Sequence, residues 1–171
     1  MQPITVAIAD RDRAESAACQ HLLRHEQGIC VVAPTTTSED IIATAIRVKP
    51  RIALCSYSLA VPSGCSLLIT LRRICPETLV VLLTDGTIHE DRLMLALASG
   101  AVGFLTRETL RFQLLRAVRG VDGGEAWVSR KMLGSMFDRV FTPGPTEPNV
   151  NGARRNEEDG GAHASASFLL S

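Results

Sequence analysis

Five short apolar runs alternating with five segments of helical period predict an α/β chain: a doubly wound, five-stranded parallel sheet in (βα)5 order. Three observations carry that prediction. The runs are nearly continuous rather than alternating, which suits strands covered by helices on both faces. The segments between them repeat apolar residues at three- and four-residue intervals. At 171 residues the chain is long enough for one domain with excess, and 46% hydrophobic content with only 4% aromatic requires an aliphatic core.

In chain order, Ile4–Ala9 is the first strand and ends at Asp10. A helix over Ala14–His25 carries Ala18, Leu22 and Leu23 on one side, and the second strand is Ile29–Ala33. The next helix, Glu39–Val48, carries Ile41, Ile42, Ala45 and Ile46 behind a capping box at Thr36 and Glu39. After Lys49-Pro50, the run Ile52–Tyr57 brings Ser56 to the mouth of the sheet, with Pro62 and Gly64 beyond it. A helix over Cys65–Ile74, a strand over Leu79–Leu83, a helix over Glu90–Ser99, a strand over Val102–Leu105 and a helix over Leu110–Val118 complete the alternation. Such sheets bind ligands at the carboxyl ends of their strands. Those ends are Asp10, Ser56, Thr84 and Thr106-Arg107.

Beyond Gly123-Gly124, residues 129–140 form one more short amphipathic helix with Met132, Leu133, Met136, Phe137 and Val140 on a face. From Thr142 onward Pro, Gly, Asn, Ser and charged residues dominate, and Phe168-Leu169-Leu170 is too short to build a core. That composition predicts disorder, because burial there cannot offset the entropy of ordering. The expected division is 1–127 as the folded domain, 128–141 as a linker helix and 142–171 as a disordered tail.

Several function classes are argued against. Formal net charge is zero, so nothing biases the chain towards nucleic acid or an anionic membrane. The five cysteines contain no C-x-x-C pair and mostly lie in apolar runs, which reads as free buried thiols in a reducing cytoplasm rather than zinc ligands or disulfides. With no signal peptide and no apolar run long enough to span a bilayer, the expectation is a soluble, cytoplasmic protein. Ser56 is not expected to be a hydrolytic nucleophile, since His21, His25, His89 and His163 fall outside the other strand ends. The first turn, Asp10-Arg-Asp-Arg13, has no glycine-rich phosphate loop for a nucleotide or flavin.

The pieces in order resemble a response-regulator receiver domain of the NarL/FixJ (LuxR-type) regulators, a flavodoxin-like fold. Ile4-Thr-Val-Ala-Ile-Ala-Asp10 resembles the first strand and its acidic end, and Lys49-Pro50 the entry to the third. Leu79-Val-Val-Leu-Leu-Thr84 resembles the fourth strand with its switch hydroxyl. Ala98-Ser-Gly-Ala-Val-Gly-Phe-Leu105 is similar to the family's Ala-x-Gly-Ala-x-Gly-Tyr/Phe-Leu segment. Ala117-Val-Arg-Gly-Val-Asp-Gly-Gly-Glu-Ala-Trp127 resembles the last receiver helix running into the interdomain linker. The resemblance spans about Ile4 to Val140.

The resemblance implies a phosphoryl-accepting aspartate after the third strand and an acidic pair after the first that holds Mg²⁺. It also implies a hydroxyl after the fourth strand, a lysine after the fifth and an aromatic switch residue, with catalysis by positioning and charge neutralisation. This chain departs at three of those places. Ser56 stands at the acceptor position; it is neutral and cannot form an acyl phosphate. Arg11 stands at the second acidic position, leaving Asp10, with Asp12 one residue late and able either to reach inward or to cap the next helix. Arg107 replaces the lysine, while Thr84 and Phe104 match the switch positions. An ion pair between Asp10 and Arg107 is one expected outcome; relics of a lost site without a role are the other.

The expected function is therefore a degenerate receiver in two-component phosphorelay signalling, not an enzyme, without cofactor or metal and without aspartyl phosphorylation. It would act by contact with a protein partner: a histidine kinase, another response regulator, or itself as a homodimer. By resemblance the contact surface includes Arg92, Leu93, Leu110 and Arg111. The usual helix-turn-helix output domain has no counterpart in the tail, so DNA binding is not expected; the alternative is a shortened LuxR-type DNA-binding transcription regulator.

Overall fold

The alternation of aliphatic runs and amphipathic segments folds into a single parallel sheet, described here from a computed structural model covering residues 2–86 and 88–141. The expected tail over 142–171 lies outside the described residues. The strands are β1 (Ile4–Ala9), β2 (Ile29–Val31), β3 (Ile52–Ser56), β4 (Leu79–Thr84) and β5 (Ala101–Thr106). They lie in the order β2-β1-β3-β4-β5, the doubly wound arrangement. The register sets Ala9 beside Cys55, Ser56 beside Leu83 and Thr84 beside Thr106, so the strand exits share one end of the sheet.

Residue size differs between the two faces. Val6, Ile8, Ile52, Leu54, Val81 and Leu83 point towards α1 (Arg13–Leu23) and α6 (Leu110–Asp122), packing against Leu23, Leu114 and Val118. Ala7, Ala9, Ala53 and Cys55 point the other way, towards α2 (Ser38–Val48), α3 (Tyr57–Ala60), α4 (Pro62–Ile74) and α5 (Glu90–Ser99). Small residues there let Ile41, Leu67, Leu68 and Leu71 fill the layer. Each fully buried Leu or Ile contributes about 1.5–3 kcal/mol relative to exposure.

Two local readings are corrected. The cap of α2 is Thr37, whose hydroxyl accepts from Asp40 N at 3.1 Å, so the box expected at Thr36 starts one residue late. The chain after β3 forms α3, an extra turn that no apolar periodicity announced. The first turn of α4 is left-handed at Ser63, Gly64 and Cys65, with φ between 61 and 70°, so regular helix begins close to the expected start. Only Gly64 tolerates that region without a Cβ penalty.

At the β5 edge, Trp127 N donates to Val102 O at 3.1 Å and Phe104 N to Trp127 O at 2.8 Å. Gly103 permits this approach: a Cβ there would lie 2.6 Å from both Cβ and O of Trp127. The last helix, α7 (Arg130–Phe141), starts where Ser129 Oγ accepts from Met132 N. Met132 is buried while Leu133 and Phe137 are exposed, so the apolar face seen in sequence is only partly covered. No helix among the described residues is long and apolar enough to cross a membrane.

Candidate functional site

Asp10 leaves β1 fully buried, 1% exposed, with its backbone N–H on Thr35 O at 3.0 Å. Both its oxygens are engaged: Oδ1 accepts from Asp12 N at 3.0 Å and Oδ2 from Arg107 Nη2 at 2.7 Å. Arg107 opens the 3-10 turn Arg107–Thr109 that follows β5. Its guanidinium also donates from Nη1 to Glu15 Oε2 at 2.9 Å and from Nε to Asp85 Oδ1 at 2.8 Å. One cation thus meets three carboxylates, from β1's exit, the first turn of α1 and β4's exit. Burial alone would lower the Arg107 pKa, but Asp10, Asp85 and Glu15 outweigh it and hold it above the ordinary value. The side chain therefore stays charged at any working pH.

This contact crosses the top of the sheet. Strands β1 and β5 are separated by β3 and β4, about 14 Å at a spacing of about 4.8 Å per strand. Asp10 and Arg107 meet across the ends of the two central strands, where Ser56 and Thr84 lie. Ser56 is 1% exposed, and its Oγ is 3.4 Å from Ser58 Oγ, making no cap bond to α3. Thr84, also buried, directs Oγ1 at Leu105 O, 3.4 Å away. Phe104 is half-buried and packs against the core on the α2–α5 side.

The open alternative for Asp12 resolves as the cap. Its Oδ1 accepts from Ala14 N at 2.8 Å and from Glu15 N at 3.4 Å, on the exposed start of α1. It is not part of the acidic pocket; Glu15 and Asp85 are, and sequence reasoning named neither. Asp85 was findable, because it directly follows Thr84 at a strand exit. Glu15 carried no such signal. Arg11 is exposed. His21 and His25 meet edge to face at the opposite end of α1, away from Ser56.

The Mg²⁺ that the resemblance implies does not fit these residues. Both Asp10 oxygens are taken, and a fixed guanidinium lies where a divalent cation would need open carboxylates. Among the described residues no group of three His, Cys, Asp or Glu side chains is placed to hold a metal ion. The neighbouring thiols are equally closed to chemistry near neutrality. Burial, reinforced by Asp10, pushes Cys55 up to about 12. Burial likewise pushes Cys19 up to about 11, with Arg107 opposing and Asp10 and Glu15 adding.

The fold and the strand-end site can be compared with known proteins. The apo REC domain of RcsB from Salmonella enterica serovar Typhimurium superposes with a TM-score of 0.70 over 79% of this chain and 98% of that one, at 16% identity. In sequence, the chain is 28% identical over 123 residues to the uncharacterized transcriptional regulatory protein YxjL of Bacillus subtilis. The chain has the fold of a response-regulator receiver domain. It is also 29% identical over 140 residues to the oxygen regulatory protein NreC of Staphylococcus aureus. The matches cover 72% and 80% of this chain but only 56% and 63% of the relatives, so the chain spans little more than half the length of each. No family model matches the chain.

Proposed function

We propose that this receiver acts in two-component signalling as a protein-binding module whose state is set by an internal ion-pair cluster instead of an aspartyl phosphate. The observation that carries the reading is the Arg107 guanidinium seated on Asp10, Glu15 and Asp85 above a strand end that presents Ser56. In a phosphorylated receiver, charge delivered to the β3 exit draws the hydroxyl and cation at the β4 and β5 exits inward. Here the cation is already bound by carboxylates, and the β3 exit has no group to carry a phosphoryl as an acyl phosphate.

The partner is a histidine kinase, another response regulator, or a second copy. The contact surface inferred from the resemblance needs one correction: Leu110 is 4% exposed and belongs to the core. Phe112 on α6 and Leu95 on α5 are the exposed apolar residues beside Arg92 and Arg111. Incubation with acetyl phosphate and Mg²⁺, followed by intact-mass measurement, should leave the protein unmodified. Ser56→Asp alone should also stay unmodified, whereas Ser56→Asp with Arg11→Asp and Arg107→Lys should accept a phosphoryl group. A Mg²⁺-dependent, acid-labile phosphoryl adduct on the unaltered protein would falsify the reading.

A further inference from the structure

A cleft of about 740 Å³ opens between α1 and α2, where residues 34–36 cross the edge of the sheet, and it serves no part of the strand-end site. Its walls and floor include Arg13, Ser16, Thr35, Asp40, Thr44 and Arg47. That volume lies within the range of small-molecule sites.

Thr44 lies mid-way along α2 and is 6% exposed, yet its hydroxyl has no protein partner among the described residues. A buried threonine in a helix ordinarily bonds back to the carbonyl four residues earlier. Its hydroxyl opens into the cleft instead, where solvent or a ligand can accept from it. Opposite it, Ser16 is 2% exposed and donates to Arg13 O at 3.0 Å, leaving its oxygen free to accept. Thr35 Oγ1 is similarly committed to Ile8 O at 3.2 Å. The floor therefore offers both a donor and acceptors.

Charge at the rim defines the ligand further. Arg13 and Arg47 stand exposed on the two helices, and neither forms an ion pair with a described residue, unlike Arg107, which takes three. Arg13 opens α1, whose positive dipole end faces the cleft, while Arg47 stands in the last turn of α2. The lone acid in the lining, Asp40, would repel a bare anion but accepts hydrogen bonds from hydroxyls. Two guanidiniums for a phosphate, with a carboxylate and threonines for hydroxyls, describe one class of compound.

We propose that the α1–α2 cleft binds a small phosphorylated, hydroxyl-bearing metabolite the size of a sugar phosphate or mononucleotide. The test is calorimetric titration of the full chain at low ionic strength with glucose 6-phosphate and AMP, against inorganic phosphate and glucose. At least one phosphorylated, hydroxylated probe should bind saturably and about tenfold more tightly than phosphate or glucose. The double variant R13Q/R47Q, altered only at exposed positions, should weaken that binding about tenfold or more. Thr44→Val should weaken it about fivefold while Thr44→Ser retains it, and Arg92→Gln on α5 should change nothing. Circular dichroism establishes that each variant is folded. The proposal is overturned if neither glucose 6-phosphate nor AMP binds saturably, if phosphate alone binds as well, or if binding survives R13Q/R47Q.

Discussion

Arg107→Met removes the guanidinium while keeping most of the apolar stem, and its cost can be apportioned among the three pairs it breaks. Glu15 and Asp85 have side chains 41% and 77% exposed, so water screens them and each pair contributes a few tenths of a kcal/mol. Asp10 differs, because its side chain is 2% exposed and the carboxylate would be left buried without its cation. Breaking a fully buried pair costs about 3–5 kcal/mol. The guanidinium is 21% exposed, and Asp12 N still donates to Asp10, so that range is discounted to about 2–3 kcal/mol. The expected total is a destabilisation of about 3 kcal/mol, read by urea unfolding at pH 7 and 0.1 M salt with an unchanged m-value. Asp10→Asn in the Arg107→Met background should then cost much less than in the native background, a coupling of about 2 kcal/mol. A loss below about 0.5 kcal/mol for Arg107→Met, or two single effects that simply add, would show that the cluster does not hold the strand ends together.

The same geometry sets three further expected outcomes. Thr37→Ala should cost about 1 kcal/mol and Thr36→Ala almost nothing in thermal unfolding, since only Thr37 caps α2. Gly103→Ala should cost about 1–3 kcal/mol, because the new methyl meets Trp127 backbone and Cβ, and Trp127 fluorescence should report the displaced edge. Cys19 and Cys55 have folded pKa values of about 11 and about 12 against an ordinary 9.0, so the unfolded chain releases these protons first. Stability is thus full below pH 9 and is lost as pH rises towards 11–12, by about 3 kcal/mol for the two together between pH 8 and 10. A Cys19→Ala/Cys55→Ala variant should lose most of that alkaline slope; an unchanged slope would assign it elsewhere.

Strand positions were legible because the runs of β1, β3 and β4 are buried on both faces, and β1 ends where the apolar pattern ends, at Ala9. The fold class followed from their alternation with helices, which leaves few other topologies. What sequence could not show was local. Two adjacent threonines, Thr36 and Thr37, compete for one cap, and only the entry angle of the chain decides between them. The α3 turn has no periodicity of its own, being held by its position between β3 and the left-handed turn at Ser63–Cys65. The bridge from Trp127 to β5 depends on Gly103, whose missing side chain reads in sequence only as a small residue near a strand end.

At the strand ends the sequence exposed the substitutions but not their consequence. Ser56, Arg11 and Arg107 could each be read as a separate loss, and the expected Asp10–Arg107 pair alone would have been a weak contact in water. The geometry makes them one arrangement, because a guanidinium has a planar fork of donors that a lysine ammonium lacks. Nε, Nη1 and Nη2 each reach a different carboxylate, 22, 92 and 97 residues away in sequence. A lysine in this place would be a mobile point charge, free to follow a phosphate. Arg107 is instead bound by Asp10, the one acid of the expected metal-binding pair that this chain keeps, and by Glu15 and Asp85. Returning the aspartate at position 56 would therefore add a fourth carboxylate near a satisfied cation, and would leave the site without Mg²⁺. In the proposed reading, Arg107 closes the strand ends to phosphoryl chemistry as much as Ser56 does.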